Sequence, residues 1–167
     1  MASIVLIGPP GAGKTTVGKA LSKKLNLKFV DTDYLIEQKD GRKIAEIFLE
    51  SGEEAFRALE KQVVLVSLDE TDAVISLGGG AVLDLDVQAK LSLQEKVIFL
   101  DVSISNAAPR VGFNRERPLL LGNPRQQWLG LMEKRRPIYE SLATFTVNTD
   151  NRKAQEIADS LVETIKA

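Results

Sequence analysis

The feature that most constrains the fold is a glycine-rich segment near the start of the chain, residues 8–15, which reads GPPGAGKT. It matches the pattern G-x-x-x-x-G-K-[ST], in which glycines let the backbone wrap tightly and point successive N–H groups at an anion. An apolar run over residues 4–7 precedes it and a helical pattern over residues 15–25 follows it. This order of strand, loop and helix indicates a nucleotide phosphate site in an α/β domain, rather than a turn that ends in Lys-Thr by chance.

The residue types in this segment suit bound phosphate. The Lys14 side chain would reach the β- and γ-phosphates, and the Thr15 hydroxyl can hold Mg²⁺. The helix that follows would direct the positive end of its dipole at the same anions. The nucleotide-binding residues predicted here are Gly11, Ala12, Gly13, Lys14, Thr15 and Thr16.

Further along, short β-type runs alternate with helical stretches. The remaining predicted strands cover residues 28–30, 73–77, 97–102 and 145–148, and the clearest later helices cover residues 53–68, 124–142 and 153–165. Such alternation predicts a single α/β domain over residues 1–167, with a parallel sheet and helices on both faces. Ligands of such sheets bind beyond the carboxyl ends of the strands.

Composition excludes several function classes. A net charge of −1 argues against a dedicated nucleic-acid binder. The chain has no cysteine and no histidine, so carboxylates or lysine must do any acid–base work. Since no apolar run approaches the ~20 residues of a membrane span and no signal peptide is visible, we expect a cytoplasmic protein that does not bind membranes.

Two carboxylates close the second predicted strand. Asp31 and Asp33 stand two apart, so an extended backbone would direct both to the same side at the ligand edge. One could orient Mg²⁺ through its water shell, and the other could accept a proton from an attacking hydroxyl. Alternatively, Asp31, Thr32 or Asp33 could cap the helix expected near Tyr34. Both interpretations can hold, one for each carboxylate.

Arg57 and Glu60 lie three apart on a predicted helix and share a face. From sequence alone a surface ion pair is the favoured interpretation. The functional alternative is an arginine that binds an acceptor anion, with Glu60 fixing its direction. Residues 78–80, three consecutive glycines after a strand, indicate either a simple loop or a backbone that something approaches closely, such as the acceptor.

Two later segments carry arginines. Residues 112–122 suit a lid that carries Arg115 or Arg117 over the phosphates, or a mobile surface loop. Arg135 and Arg136 lie late in a predicted helix. They could bind a carboxylate, or they could be cations near the helix C-terminus or solvated surface charges. Spacing does not choose between the two arginines.

Trp128 is the only tryptophan of the chain. Helical spacing places it on one face with Met132 and Arg135. It is either a core anchor or a residue that borders the lid.

Six motifs in the same order resemble those of shikimate kinases. They occupy residues 8–15 (GPPGAGKT), 31–33 (DTD), 52–60 (GEEAFRALE), 76–82 (SLGGGAV), 117–120 (RPLL) and 134–139 (KRRPIY). The resemblance covers essentially the whole chain. It implies a P-loop NTPase fold, a three-layer sandwich with a five-stranded parallel sheet in the order 2-3-1-4-5. It also implies ATP-dependent phosphorylation of the 3-hydroxyl of shikimate, in chorismate and aromatic amino-acid biosynthesis.

The resemblance implies roles for individual residues. The catalytic residues would be Lys14, Asp33 and Arg117, and the Mg²⁺ ligands Thr15 and Asp31. Shikimate would be bound by Asp33, Arg57, Glu60, Gly78, Gly79, Gly80 and Arg135. ATP would also contact Arg110, Arg117 and Arg152. The acceptor segment would span about residues 32–60, and the partners would be ATP and shikimate alone, bound by a monomer.

Two other functions compete with this one. A small-acceptor kinase of another kind, such as a gluconate kinase, would not share the DTD, GGG and RPLL motifs together. A degenerate kinase acting as a non-catalytic nucleotide-binding regulator would have lost part of the site, whereas here every implied catalytic residue is present.

Overall fold

Five parallel strands form one sheet in the computed structural model, which describes residues 2–111 and 123–166. The strands are β1 Ile4–Ile7, β2 Lys28–Asp31, β3 Ala73–Ser76, β4 Lys96–Asp101 and β5 Phe145–Asn148. Their order is β2-β3-β1-β4-β5. The predicted sheet and its strand order are therefore confirmed.

Seven helices of the described residues surround the sheet. They are α1 Lys14–Leu25, α2 Thr32–Asp40, α3 Ile44–Ser67, α4 Leu85–Leu91, α5 Ile104–Val111, α6 Pro124–Leu142 and α7 Ala154–Lys166, with a 3₁₀ turn at Ala81–Leu83. The sequence pattern did not assign α4 and α5, because helices of seven and eight residues repeat an apolar spacing too few times to be distinctive. Within the described ranges, no helix combines the length and apolarity that a membrane crossing needs.

Burial explains why the central strands are mainly apolar. All four residues of β1 are at most 1% exposed, and those of the neighbouring strand β3 are at most 3% exposed. The edge strand β5 instead alternates half-buried and exposed positions. A parallel sheet covered on both faces requires this difference between centre and edge. Because these strands are parallel, the carboxyl ends of β1, β2 and β3 lie at the same edge of the sheet.

Helix α3 breaks at Gly52, where φ is 89° and ψ is 168°. This is why the predicted helix over residues 53–68 covers only its second part. Phe48 and Phe56 stack across the break, with ring centroids 4.7 Å apart. They belong to a small apolar cluster separate from the main core, completed by Ile36, Ile44, Ile47 and Val63. This cluster supports the helix that carries Arg57 and Glu60.

Candidate active site

The loop between β1 and α1 has the shape of a phosphate cradle. Gly13 is the N-cap residue of α1 and lies in the left-handed region, with φ 89°. Because glycine has no side chain, the cap residue offers no side-chain hydrogen-bond acceptor to the first N–H groups of α1. Gly8 is required sterically, because a Cβ atom there would lie 2.5 Å from the Leu100 carbonyl oxygen. A helix N-terminus of this kind favours a bound anion.

Side chains around this loop bind its carbonyl oxygens. Lys14 Nζ donates to the carbonyls of Gly8 and Pro9, at 2.8 and 2.9 Å. Thr16 Oγ1 donates to the Gly13 carbonyl at 3.1 Å. Arg110 Nη1 lies 3.1 Å from the Gly11 carbonyl and therefore stands beside the predicted ATP site.

Arg110 also connects the phosphate loop to the segment after β5, since its Nη1 lies 3.5 Å from Thr149 Oγ1. Arg152, predicted to contact ATP, donates to the Asn148 carbonyl of its own loop at 3.2 Å. Arg117 and the predicted lid over residues 112–122 lie outside the described residues.

Asp31 caps α2 with one carboxylate oxygen and binds the Thr15 hydroxyl with the other. Its Oδ1 accepts from the backbone N–H of Asp33 at 3.0 Å and of Tyr34 at 3.4 Å, and so caps α2. Its Oδ2 accepts from Thr15 Oγ1 at 3.3 Å. Burial, followed by the charge of Asp33, raises the pKa of Asp31. A cation placed between Asp31 and Thr15 would relieve this cost.

The donor chemistry here fits Mg²⁺. A carboxylate and a hydroxyl are hard oxygen ligands, and Mg²⁺ takes few protein ligands beside substrate phosphates and water. In the part of the chain that the structure describes, no group of three or more acidic, histidine or cysteine side chains forms a self-sufficient metal cage. Thr15 and Asp31, at the edge of the phosphate loop, are thus residues that could hold such an ion.

Just beyond the carboxyl end of β3, two carboxylates converge on one glycine. A Cβ atom at Gly78 would lie 2.7 Å from Asp33 Oδ1 and 3.0 Å from Glu60 Oε2. Glu60 Oε1 accepts from Arg57 Nη1 at 2.8 Å. The arrangement places hydrogen-bond acceptors next to a cation.

The interpretation of Arg57 and Glu60 as a surface ion pair is wrong. The side chain of Glu60 is 3% exposed and that of Arg57 is 22% exposed. A buried carboxylate is costly unless a cation neutralises it, so Arg57 is held where it is by Glu60. The helical spacing was visible in the sequence, but the depth of the pair was not.

The three consecutive glycines leave room for side chains from other segments of the chain. The Cβ position of Gly78 meets the two carboxylates, and that of Gly79 lies 3.1 Å from Pro10 Cδ. At Gly80 a Cβ atom would lie 2.5 Å from Arg57 Nη1. Close approach to this backbone was predicted, and the groups that approach are side chains of the protein itself. The simple-loop interpretation does not account for these contacts.

The structure separates the two neighbouring arginines of α6. Arg135 is 4% exposed, and its Nη1 lies 3.4 Å from the Cβ position of Gly79. Gly79 belongs to residues 78–80, the predicted acceptor wall. Arg136 instead binds Asp101 at the end of β4. Beside Gly80 a cavity of about 300 Å³ is lined by Glu53, Arg57, Glu60, Lys61, Gly80, Ala81, Leu83, Asp84 and Val87. The predicted acceptor residues Arg57, Glu60 and Gly80 therefore share one cavity.

Two contacts of this region were not anticipated from the sequence. The Tyr139 hydroxyl donates to the Gly79 carbonyl at 2.6 Å, and Trp128 Nε1 donates to the Pro10 carbonyl at 2.9 Å. Trp128, Met132, Arg135 and Tyr139 are the buried residues of α6, so the predicted shared face is confirmed. Tyr139 stands four residues after Arg135, and that spacing could have indicated its orientation.

The model of the shikimate kinase family matches residues 10–166 of the chain. A shikimate kinase of Thermobifida fusca is 48% identical over 163 residues, which cover 98% of this chain and 94% of the relative. A shikimate kinase of Streptomyces coelicolor is 47% identical over 163 residues, at 98% and 95% coverage.

Solved structures agree with these sequence relatives. A shikimate kinase from Acinetobacter baumannii in complex with shikimate superposes with a TM-score of 0.96 at 34% identity, covering 99% of this chain and 93% of that one. A shikimate kinase from Aquifex aeolicus superposes with a TM-score of 0.85 at 31% identity, at 98% and 96% coverage. The sequence relatives and the solved structures thus belong to the same family, and they match nearly the whole chain.

Proposed function

The chain belongs to the shikimate kinase family, and from this premise we propose that it transfers the γ-phosphoryl group of ATP to the 3-hydroxyl of shikimate. The products are shikimate 3-phosphate and ADP, in the route to chorismate and the aromatic amino acids. ATP is the co-substrate of this family, and Mg²⁺ is the metal proposed to accompany it.

The observation that carries this proposal is the contact between the phosphate loop and the acceptor wall. Pro10 of the loop packs on Gly79, while Asp33, Glu60 and Arg57 converge on the glycines on either side. An acceptor hydroxyl near Asp33 and a γ-phosphate near Lys14 would therefore be neighbours. Phosphoryl transfer depends mainly on such placement and on neutralising charge.

The residues divide the work as follows. Lys14 and the N–H groups of the loop neutralise phosphate charge, and Thr15 and Asp31 would hold Mg²⁺, which would supply further positive charge to the phosphates. Asp33 orients the attacking hydroxyl and can accept its proton. Arg57, directed by Glu60, and Arg135 bind the carboxylate of shikimate.

A coupled assay for ADP release tests this function. The wild-type chain with ATP and Mg²⁺ should release ADP rapidly when shikimate is added and slowly without it. Gluconate in place of shikimate should leave the slow rate unchanged, which separates the two kinds of small-acceptor kinase. No response to shikimate at saturating ATP would reject the proposal and favour the non-catalytic regulator.

A further inference from the structure

One helix, α6, binds both sides of the junction between the phosphate loop and the acceptor wall. Trp128 holds the Pro10 carbonyl and Tyr139 holds the Gly79 carbonyl, at 2.9 and 2.6 Å. The two aromatic side chains are 2% and 0% exposed and stand about three helical turns apart. Both side chains lie on the buried face of α6, so this one helix connects the two loops.

The two carbonyls belong to loops that touch each other. A Cβ atom at Gly79 would lie 3.1 Å from Pro10 Cδ and 3.5 Å from the Gly8 carbonyl oxygen. A substituent at Gly79 would therefore crowd the phosphate loop, so the loop stands close to the acceptor wall at this position.

Pro10 can be held in few ways. A proline has no backbone N–H, so its carbonyl is the one backbone polar group by which the protein can fix it. The neighbouring Pro9 carbonyl already accepts from Lys14 Nζ and from the Ala12 N–H, at 2.9 and 3.2 Å. The Pro10 carbonyl accepts from Trp128 on α6 instead.

We propose that Trp128 is a positioning residue, whose indole N–H holds Pro10, and with it the phosphate loop, at a set distance from the acceptor wall at Gly79. This inference rests on the proposed function, because only a transfer between two bound substrates needs that distance. It differs from both roles considered from the sequence, a plain core anchor and a border of the lid. A misplaced loop would still bind ATP but would align it poorly for transfer.

Because Trp128 is the only tryptophan of the chain, a tryptophan analogue that differs in one atom changes this side chain alone. Expression with benzothienylalanine in place of tryptophan keeps the bicyclic shape and replaces the N–H donor by sulfur. Expression with fluorotryptophan, the matched control, keeps the donor. We expect benzothienylalanine to lower kcat about 3- to 10-fold, the scale of one hydrogen bond between neutral groups. The KM values for ATP and shikimate should stay within about twofold of the control.

A double-mutant cycle tests the shared junction. Trp128→Phe and Tyr139→Phe each remove one donor, and their effects on kcat should be non-additive if both act on the contact between Pro10 and Gly79. Ser141→Ala is the control on the same helix, since its exposed hydroxyl bonds only to the Ile138 carbonyl among the described residues. It should leave kcat unchanged.

A measurement that needs no acceptor keeps this proposal separate from the proposed function. The single indole N–H resonance of the wild-type chain should exchange with solvent at least about tenfold more slowly than a free indole, and it should shift when ADP binds. If the wild-type chain does not phosphorylate shikimate, the proposed function is wrong. The resonance still tests whether the Trp128 N–H is hydrogen-bonded. An unprotected indole proton would overturn the proposal, as would a benzothienylalanine protein whose kcat stays within about twofold of the fluorotryptophan control.

Discussion

Arg136 and Asp101 form a bidentate ion pair between helix α6 and the carboxyl end of strand β4. Arg136 Nη1 lies 2.9 Å from Asp101 Oδ2, and Nη2 lies 2.9 Å from Oδ1. The guanidinium also stands 5.8 Å from the centroid of the Phe99 ring. The hydrogen bonds to Asp101 raise the pKa of Arg136. Arg136 therefore fixes α6 beside the sheet, whereas its neighbour Arg135 lies at the acceptor wall.

The first prediction concerns this pair. Arg136→Ala should lower the free energy of unfolding by about 1 kcal/mol, because the pair is only half-buried and water screens it. Arg136→Lys should recover only part of the loss, since lysine cannot make both hydrogen bonds. Urea denaturation measures both changes. A larger effect on the KM for shikimate than on stability would place Arg136 in the acceptor pocket instead.

Lys14→Ala should reduce turnover on the order of 10²- to 10³-fold, since it removes charge that stabilises the transferring phosphoryl group. Steady-state kinetics with ATP and shikimate measure this loss. Lys19→Ala, which removes an exposed lysine from the same helix, is the control and should keep wild-type activity. Equal activity of the two variants would disprove the phosphate-loop assignment.

Asp31 and Asp33 should differ in what their neutralisation does. Asp31→Asn should raise the Mg²⁺ concentration needed for half-maximal turnover, because its Oδ2 faces Thr15. Asp33→Asn should leave ATP binding intact and lower kcat on the order of 10²-fold. Titrations with Mg²⁺ and with ATP distinguish the two. The opposite pattern, with Mg²⁺ dependence changed only in Asp33→Asn, would exchange their roles.

Arg57→Ala and Arg135→Ala should each raise the KM for shikimate on the order of tenfold or more, the scale of one charge-assisted contact. Slow ATP hydrolysis without shikimate should be unchanged, because neither arginine is predicted to contact the nucleotide. Lys134→Ala removes an exposed cation next to Arg135 and is the matched control. A wild-type KM for shikimate in both arginine variants would refute the proposed acceptor pocket.

The sequence was sufficient for the parts of this protein that depend on local order. The apolar run at residues 4–7 and the glycine pattern at residues 8–15 predicted β1 and the loop that leads into α1. Alternating strands and helices predicted the parallel sheet, because a βαβ connection leaves few ways to place consecutive strands. The six motifs, taken together, led to the strand order and the family.

Only the tertiary structure decided how deep a side chain lies and in which direction it points. The sequence spacing of Arg57 and Glu60 is the same for a surface pair and a buried one, and the packing beneath α3 made it buried. Arg135 and Arg136 are adjacent in the chain, yet one reaches Gly79 and the other Asp101. The bond from Trp128 to Pro10 joins residues 118 positions apart. Local periodicity states which face of an element a residue occupies, but the partner on that face comes from a distant segment, and only folding brings the two together.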